Sequence, residues 1–460
     1  MLTFYIGAVI VIALIASIGI LTGKSMKKSS QFDNSRKATS GLVAGALIGT
    51  LVGGSSTIGT AQLAYTYGFS AWWYTLGGGI GMLLLGAVFA KPFYNSGTTT
   101  LPDIFKREYG KKTALILAIL SSIGTFLSFV AQIISGTALI TTVTSLSFTW
   151  SIVIVMLLMI VYVLWGGTLA LGYGGIAKTI LVSLTVLVCG IVAIVLGGGI
   201  GGYTANELLP HEQYFNLVAR GPIVDLGSGM SLLIGIITTQ SYFSAIVTAK
   251  SLKASKSGAF ITAIIVPIMG IAGVFVGMYM KLNYPGIVTK TALPVFIQDK
   301  MPPLIAGIML ATLLVTVTGT GAGLSFGMAS MVYRNIYKSI RPNAKEENSK
   351  TVIRIILLGI ILLGALLCYA NLGDTILSWS FLSMGLRGAV AAIPLIFALA
   401  LPGKVEAKWA IISMFCGAAF TLVGKLVLPA SVDPLFLGVF VSGLAMVLGL
   451  IFGKKKADHI

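Results

Sequence analysis

Charged residues are scarce in this sequence, and acidic residues are the scarcest of them. Only 10% of the 460 residues are charged and 13 are acidic, whereas 56% are hydrophobic and the mean hydropathy is +0.98. A soluble domain carries about 25% charged residues. A chain this apolar cannot bury its hydrophobic surface in a water-soluble core, so the composition predicts that the lipid bilayer is its solvent.

Cysteine and histidine are also rare. Cys189, Cys368 and Cys416 each lie within an apolar run, and the two histidines lie in a loop and at the C-terminus. This distribution excludes a disulfide framework and leaves no cluster of transition-metal ligands. The sequence has no GxxxxGK[ST] loop for ATP and no nucleophile–base pair, so we expect neither a primary pump nor an enzyme, and no cofactor.

Long apolar runs are what the sequence has in abundance. Runs of about 20 residues predict membrane-spanning α-helices rather than strands, and therefore an all-α polytopic membrane protein. The first run follows no basic residue and precedes no small-residue cleavage site, so we expect a retained helix rather than a signal peptide. The thirteen predicted spans are approximately 3–23, 41–66, 71–91, 113–140, 147–168, 175–200, 226–249, 258–281, 302–332, 352–372, 376–401, 406–426 and 433–453.

Lysine and arginine are distributed unevenly between the two sides of the predicted spans. With the N-terminus outside the cell, 25 of the 31 basic residues fall on the cytoplasmic side and five on the outer side. Lys178, at the start of the sixth span, is counted with the cytoplasmic residues. Cytoplasmic loops collect basic residues, so the count predicts a multi-pass cell-membrane protein with a cytoplasmic C-terminus. The same rule explains the net charge of +18 without a nucleic-acid partner.

Glycine and hydroxyl residues interrupt two of the spans. The second contains GGSSTIGT at 53–60, and the seventh contains GSG at 227–229 and TTQS at 238–241. Such residues are tolerated at membrane depth only where they face protein or a wet cavity. The two segments lie five spans apart, so the second enters the membrane from the opposite side. This pattern is typical of inverted repeats with discontinuous first helices, and it predicts a solute site near the bilayer midplane.

Polar residues in two further spans have open interpretations. A row on one face of the ninth span fits either an ion site or close helix packing. Arg387 lies within the eleventh span and must meet carbonyls, water or a partner, so structural pairing and binding of a solute carboxylate are both possible. The row in the ninth span comprises Thr312, Thr316, Thr320, Gly323 and Gly327.

Acidic residues are missing from the middle of every predicted span. A carboxylate proton relay across the membrane is therefore poorly supported. A coupling ion would have to be held by carbonyl and hydroxyl oxygens. Those ligands suit Na⁺ at a broken helix.

Several strings, in segments 41–112, 239–258 and 311–338, resemble the solute:sodium symporter family, which includes bacterial proline, pantothenate and sugar symporters. They are STIGTA at 56–61, YTYG at 65–68, FYNSG at 93–97, TLPDIF at 100–105, YG at 109–110, TQ at 239–240, TAKS at 248–251 and YRNIY at 333–337. The resemblance implies the leucine-transporter-type fold, with two inverted five-helix repeats at 41–200 and 226–402. A first helix and cytoplasmic loop (1–40) would precede them, and two helices with a short tail (403–460) would follow.

The resemblance also implies a sodium site between the broken second span and the ninth span. Its ligands would be the carbonyls of Gly54, Thr57 and Thr316 and a hydroxyl pair at Gly319 and Thr320. The family has two adjacent hydroxyl residues at that pair, and Gly319 supplies none. Water or the Thr316 hydroxyl could replace it. Sodium coupling is the expectation, and proton-coupled or uncoupled transport is the alternative.

The solute site implied by the resemblance consists of neutral hydrogen-bonding residues beside the breaks. They suit a small polar or zwitterionic organic solute, such as an amino acid or a carboxylate. Thr75 stands where sugar-transporting members carry Glu, which argues against a sugar. A receptor would need an output domain that the short loops do not provide, and no obligatory protein partner is evident. The positions are Ser55, Ser56, Gln62, Tyr74, Thr75, Thr239, Gln240 and Ser241.

Overall fold

Helices make up nearly all of the structure. The computed structural model describes residues 36–166, 173–341, 349–370, 375–429 and 431–453, and residues 3, 5–11 and 13 of the N-terminal segment, which are helical. Within these residues the β-type contact is an isolated parallel bridge between Ala38 and Ala249. Most of the predicted first span, 3–23, and most of the predicted unit 1–40 lie outside the described residues.

The α-helices are numbered here in chain order. The first ten are α1 (Ser40–Leu51), α2 (Thr60–Tyr67), α3 (Trp73–Leu84), α4 (Ala90–Asn95), α5 (Leu101–Tyr109), α6 (Lys111–Thr144), α7 (Phe148–Gly166), α8 (Tyr173–Leu196), α9 (Gly199–Thr204) and α10 (His211–Tyr214). The others are α11 (Pro222–Ile237), α12 (Gln240–Val247), α13 (Leu252–Asn283), α14 (Ala292–Lys300), α15 (Pro303–Val332), α16 (Ser349–Ala370), α17 (Ile376–Ala400), α18 (Ala407–Val427) and α19 (Pro434–Phe452). A short turn at Lys338–Ile340 is left unnumbered.

Side-chain caps explain where several long helices begin. The hydroxyls of Thr39, Ser251 and Thr375 accept backbone N–H bonds at the starts of α1, α13 and α17. The carboxylate of Asp433 does the same at α19. Each cap satisfies an N–H that has no partner within the helix, which matters most next to lipid.

Nine helices among the described residues are long and apolar enough to cross a membrane, or ten if the bent pair α11–α12 counts as one span. The protein is therefore a multi-pass membrane protein. Thirteen spans stay a prediction. Helix α1 and residues 148–162 of α7 form shorter apolar helices, and much of the first predicted span lies outside the described residues.

Packing of the long helices brings the interrupted segments together. Helix α6 contacts α15 and α17, while α11 lies against α3 and α17. Helix α13 packs against α1, α2, α3 and α8. Both interrupted segments therefore pack against other helices of the bundle, and Ser241 at the end of the second is exposed.

Candidate functional site

The first interrupted segment is broken between α1 and α2. Val52 adopts an extended conformation (φ −86°, ψ 99°), and a π-helical turn, Ser55–Gly59, leads into α2. The N–H of Gly54 donates to Oε1 of Gln132 on α6 at 2.8 Å. A side chain at Gly54 would collide with Ser135 of α6. The break therefore depends on close contact with α6 and on a partner for the freed N–H group.

The second interrupted segment is broken between α11 and α12, which meet at an angle of 48°. Thr239 is extended (φ −93°, ψ 125°). The hydroxyl of Thr239 donates to the carbonyl of Gly235 at 2.6 Å, and that of Thr238 donates to Ile234 at 2.9 Å. These bonds satisfy carbonyls that the end of α11 leaves without helical donors.

Helix α17 connects the two breaks. Near its start, Ser380 Oγ lies 2.5 Å from Ser55 Oγ of the first break. Two turns later, Arg387 Nη1 donates to Thr239 Oγ1 of the second break at 2.9 Å. Tyr74 of α3 packs edge-on against an aromatic ring of α17, with centroids 5.6 Å apart. Three predicted solute-binding residues, Ser55, Tyr74 and Thr239, are thus collected along one helix.

Arg387 is buried among neutral acceptors. It is 2% exposed. Besides Thr239, its guanidinium donates to Ser383 Oγ (3.1 Å), Ser128 Oγ (3.3 Å) and the Ser383 carbonyl (3.2 Å). Within the described part of the chain, no carboxylate lies within 4.0 Å of it. The hydroxyls satisfy most of its N–H groups but leave the positive charge without a counter-ion.

Two other predicted solute-binding residues stabilise the backbone at the first break. Ser56 Oγ accepts the N–H of Gly53 at 3.0 Å. Gln62 Oε1 accepts the N–H of Ile376 at 3.0 Å, at the first residue of α17. Both side chains hold the break and the start of α17 in place.

The remaining predicted solute-binding residues are Thr75, Gln240 and Ser241. Thr75 donates to the carbonyl of Trp72 at 3.1 Å, and it faces α13. Gln240 Oε1 accepts the N–H of Leu101 at 2.7 Å, at the start of α5. Ser241 is exposed. Thr75 and Gln240 thus have hydrogen-bond partners other than Ser55, Tyr74 and Thr239.

The expected sodium-binding groups lie where the first break meets α15. A Cβ atom at Gly53 would be 3.2 Å from Thr320 Cγ2, so the two segments touch. The carbonyl of Gly54 accepts the N–H of Gly59 at 2.9 Å, and that of Thr57 accepts a backbone N–H three residues later. The Gly54 carbonyl also accepts the Thr57 hydroxyl at 3.5 Å, so both of its lone pairs already have a partner.

The α15 half of that region departs further from a sodium site than the sequence alone indicates. A Cβ atom at Gly319 would lie 3.1 Å from the phenol oxygen of Tyr162 on α7, so this ring covers the place of the missing hydroxyl side chain. The Thr316 hydroxyl is buried and has no hydrogen-bond partner among the described residues. Thr320 is therefore the one hydroxyl of the expected pair.

Lys178 of α8 reaches the same region. Its Nζ donates to Thr320 Oγ1 at 3.1 Å and to the carbonyl of Gly49 at 3.0 Å, and the residue is 6% exposed. Counting Lys178 with the cytoplasmic loops was therefore wrong, because its side chain points into the bundle. The sequence contains a signal for this position, because Lys178 is the one basic residue within the predicted span 175–200 and an intramembrane charge indicates a functional site.

A comparison of the sequence with models of known protein families identifies the family of this chain. The model of the sodium:solute symporter family matches residues 32–417. The chain belongs to this family. Among its relatives are the Bacillus subtilis protein named "Uncharacterized symporter YwcA" (23% identical over 73% of this chain and 69% of that one) and the human high affinity choline transporter 1 (26% identical over 76% of this chain and 65% of that one). The Torpedo marmorata choline transporter is 24% identical over 66% of this chain and 55% of its own length.

The chain thus spans 55% to 69% of the length of these relatives. Solved structures share its fold. A substrate-bound, outward-open Na⁺-coupled sialic acid symporter matches with a TM-score of 0.78 at 16% identity, over 100% of this chain and 99% of that one. MhsT in complex with L-phenylalanine matches with a TM-score of 0.53 at 13% identity, over 89% of this chain and 97% of that one. These relatives and neighbours are transporters, and the chain has the leucine-transporter-type fold.

Proposed function

We propose that this family member is a secondary active symporter for a small organic solute that bears a carboxylate group. It carries that solute across the membrane by alternating access. The observation that supports the solute class is Arg387, a buried cation that touches the second break and has no carboxylate partner among the described residues.

A solute carboxylate would supply the counter-ion that Arg387 lacks among the described residues. A guanidinium has five N–H donors, and its protein acceptors here are neutral. An uncompensated charge at membrane depth is costly, so an anion that pairs with it gains binding free energy. Arginine also fits a carboxylate in a bidentate geometry. The hydroxyls of Ser55 and Tyr74 would bind polar groups in the rest of the solute.

The choline named for several relatives does not suit this site. Choline is a cation, and a buried guanidinium repels a cation in a medium of low dielectric constant. An amino acid or another small carboxylate places its negative group on Arg387 and its remaining groups on neutral hydroxyls. We therefore propose a zwitterionic or carboxylate solute and do not extend choline to this chain.

Two modes of coupling are proposed, each supported by its own observation. Membership of the sodium:solute symporter family supports Na⁺, which would bind the carbonyls of Gly54, Thr57 and Thr316 and the hydroxyl of Thr320. The alternative is proton-coupled or uncoupled transport. It is favoured by Gly319, which supplies no hydroxyl.

The transport cycle requires two structural units that move against each other. We propose that the inverted repeats 41–200 and 226–402 are these units, with the solute held between their breaks. We also propose that the N-terminus lies outside the cell and the C-terminus in the cytoplasm, on the basis of the distribution of lysine and arginine.

Two experiments test this function: the thermal stabilisation of purified protein by ligands, and uptake into proteoliposomes under imposed ion gradients. Purified protein is heated with small carboxylates and with the methyl ester or amide of each, because a ligand that binds the folded state raises its melting temperature. We expect carboxylates to stabilise the protein and their esters not to. An equal shift by the esters would contradict the solute class.

Uptake of the stabilising solute into proteoliposomes then tests transport. We expect uptake under an inward Na⁺ gradient if coupling is to sodium, or under a proton gradient or no gradient in the alternative. The absence of uptake under every one of these conditions would reject the transport function.

A further inference from the structure

The ammonium group of Lys178, a residue of α8, lies at the C-terminal end of α1, and a cation is favoured at such an end. In a continuous helix the Gly49 carbonyl would accept the N–H of Gly53, but that N–H binds Ser56 Oγ instead. The freed carbonyl accepts Lys178 Nζ at 3.0 Å. The C-terminal end of a helix carries partial negative charge, and carbonyls at such ends of broken membrane helices coordinate cations.

The ammonium group also takes the hydroxyl on which the expected sodium site depends. Thr320 Oγ1 accepts Lys178 Nζ at 3.1 Å, and Gly319 next to it has no hydroxyl to add. Tyr162 lies against the Gly319 position, so a side chain there would meet its phenol oxygen. Of the expected hydroxyl pair the protein thus has one member, and a positively charged side chain is bound to it. The Thr316 hydroxyl, one turn earlier, is buried without a partner among the described residues.

Electrostatic repulsion makes a second cation unfavourable beside this ammonium. No carboxylate of the described residues lies within 4.0 Å of Lys178 Nζ. Two positive charges that share the oxygen of Thr320 would be only a few ångströms apart in a medium where charges are weakly screened. The residues present therefore fit one cation at this position, and Lys178 supplies it.

We propose that the ammonium group of Lys178 is a tethered cation that takes the place of Na⁺ between the first break and α15. It holds α1 against α15 through Gly49 and Thr320, and no sodium ion is required there. This inference rests on the proposed function only for its relevance to transport, because the occupant of the site is measurable without any solute.

The test compares Na⁺-specific stabilisation of purified wild-type protein and of Lys178→Met, with no solute present. Melting temperatures are recorded in NaCl and in N-methyl-D-glucamine chloride at equal ionic strength and one fixed pH. Lys253→Met, which removes an exposed lysine, is the matched control for the loss of one charge. A saturable shift of about 2 °C or more that is specific to Na⁺ indicates binding to the folded state.

We expect no Na⁺-specific shift in the wild type or in Lys253→Met, and a saturable shift in Lys178→Met that Thr320→Ala abolishes. A Na⁺-specific shift in the wild type that Thr320→Ala abolishes would overturn the proposal, as would a folded Lys178→Met protein without any shift. If Lys178→Met does not fold, the wild-type comparison with Thr320→Ala decides alone. A protein that fails the uptake assay yet follows this pattern would refute the transport function and leave the role of Lys178 standing.

Discussion

Replacing Arg387 with lysine keeps a positive charge within α17 but removes the planar group that reaches two other segments. The guanidinium touches Thr239 at the second break, Ser128 on α6 and Ser383 on its own helix. An ammonium group has three donors on a flexible chain and cannot reproduce the fork that binds a carboxylate through two oxygens. We therefore expect Arg387→Lys to weaken solute binding while the protein still folds.

The contacts set the size of this effect. A hydrogen bond to a charged group contributes about 1.5–3 kcal/mol. Since about 1.4 kcal/mol corresponds to a factor of ten, losing one such bond to the solute lowers affinity by about 10- to 150-fold. Ser128→Ala removes the 3.3 Å contact with Arg387 and a 2.7 Å contact with Ser383 Oγ, but it leaves the guanidinium in place. We expect that control to lower affinity by less than about tenfold.

Two measurements on the same samples test this reasoning. The concentration dependence of uptake into proteoliposomes reports on solute affinity, and the melting temperature without solute reports on folding. Arg387→Lys is expected to lower the solute affinity far more than it lowers the melting temperature. If expression and melting temperature fall in proportion to uptake, Arg387 is a structural residue and the carboxylate assignment is refuted.

Three further substitutions test the contacts around the breaks. Gln132→Ala removes the acceptor of the Gly54 N–H and should cost about 1–3 kcal/mol of stability; an unchanged melting temperature would show that water replaces it. Gly54→Ala should abolish folding through its clash with Ser135, and Ser135→Gly should restore part of the yield; no recovery would contradict this cause. Gln240→Ala removes the acceptor of the Leu101 N–H at the start of α5 and should lower stability by about 0.5–2 kcal/mol, which would appear as faster hydrogen exchange of the Leu101 amide. Exchange at the wild-type rate would show that Gln240 does not cap α5.

The break between α1 and α2 could be predicted because its cause is local. Two successive glycines and a run of hydroxyl residues weaken a helix wherever they occur, and they need polar surroundings in a membrane. The structure places the extended Val52 and the π-helical turn within this stretch. The direction in which each hydroxyl points could not be predicted in the same way. Ser56 satisfies a nearby backbone N–H, whereas Ser55 faces α17, and the two are adjacent serines.

The two glutamines beside the breaks show the same difference between what the local sequence predicts and what the packing of helices decides. Gln62 and Gln240 are polar residues beside the breaks, which made both of them candidates for solute binding. In the folded protein each accepts the first N–H of another helix, α17 for Gln62 and α5 for Gln240. A free N–H at a helix start is created only when the helices pack, so no local pattern in the sequence reveals it.

Composition and hydropathy alone determined that this protein is an all-helical membrane protein, because apolar runs of this length have no other stable environment. The order of short motifs indicated the family, and the match over residues 32–417 confirmed it. Only the tertiary structure decided which charges meet which oxygens. Lys178 lies more than a hundred residues from Thr320 in the chain, and the two meet because α8 is packed close to both α1 and α15. That contact depends on the three-dimensional arrangement of three helices, which spacing along one of them does not encode.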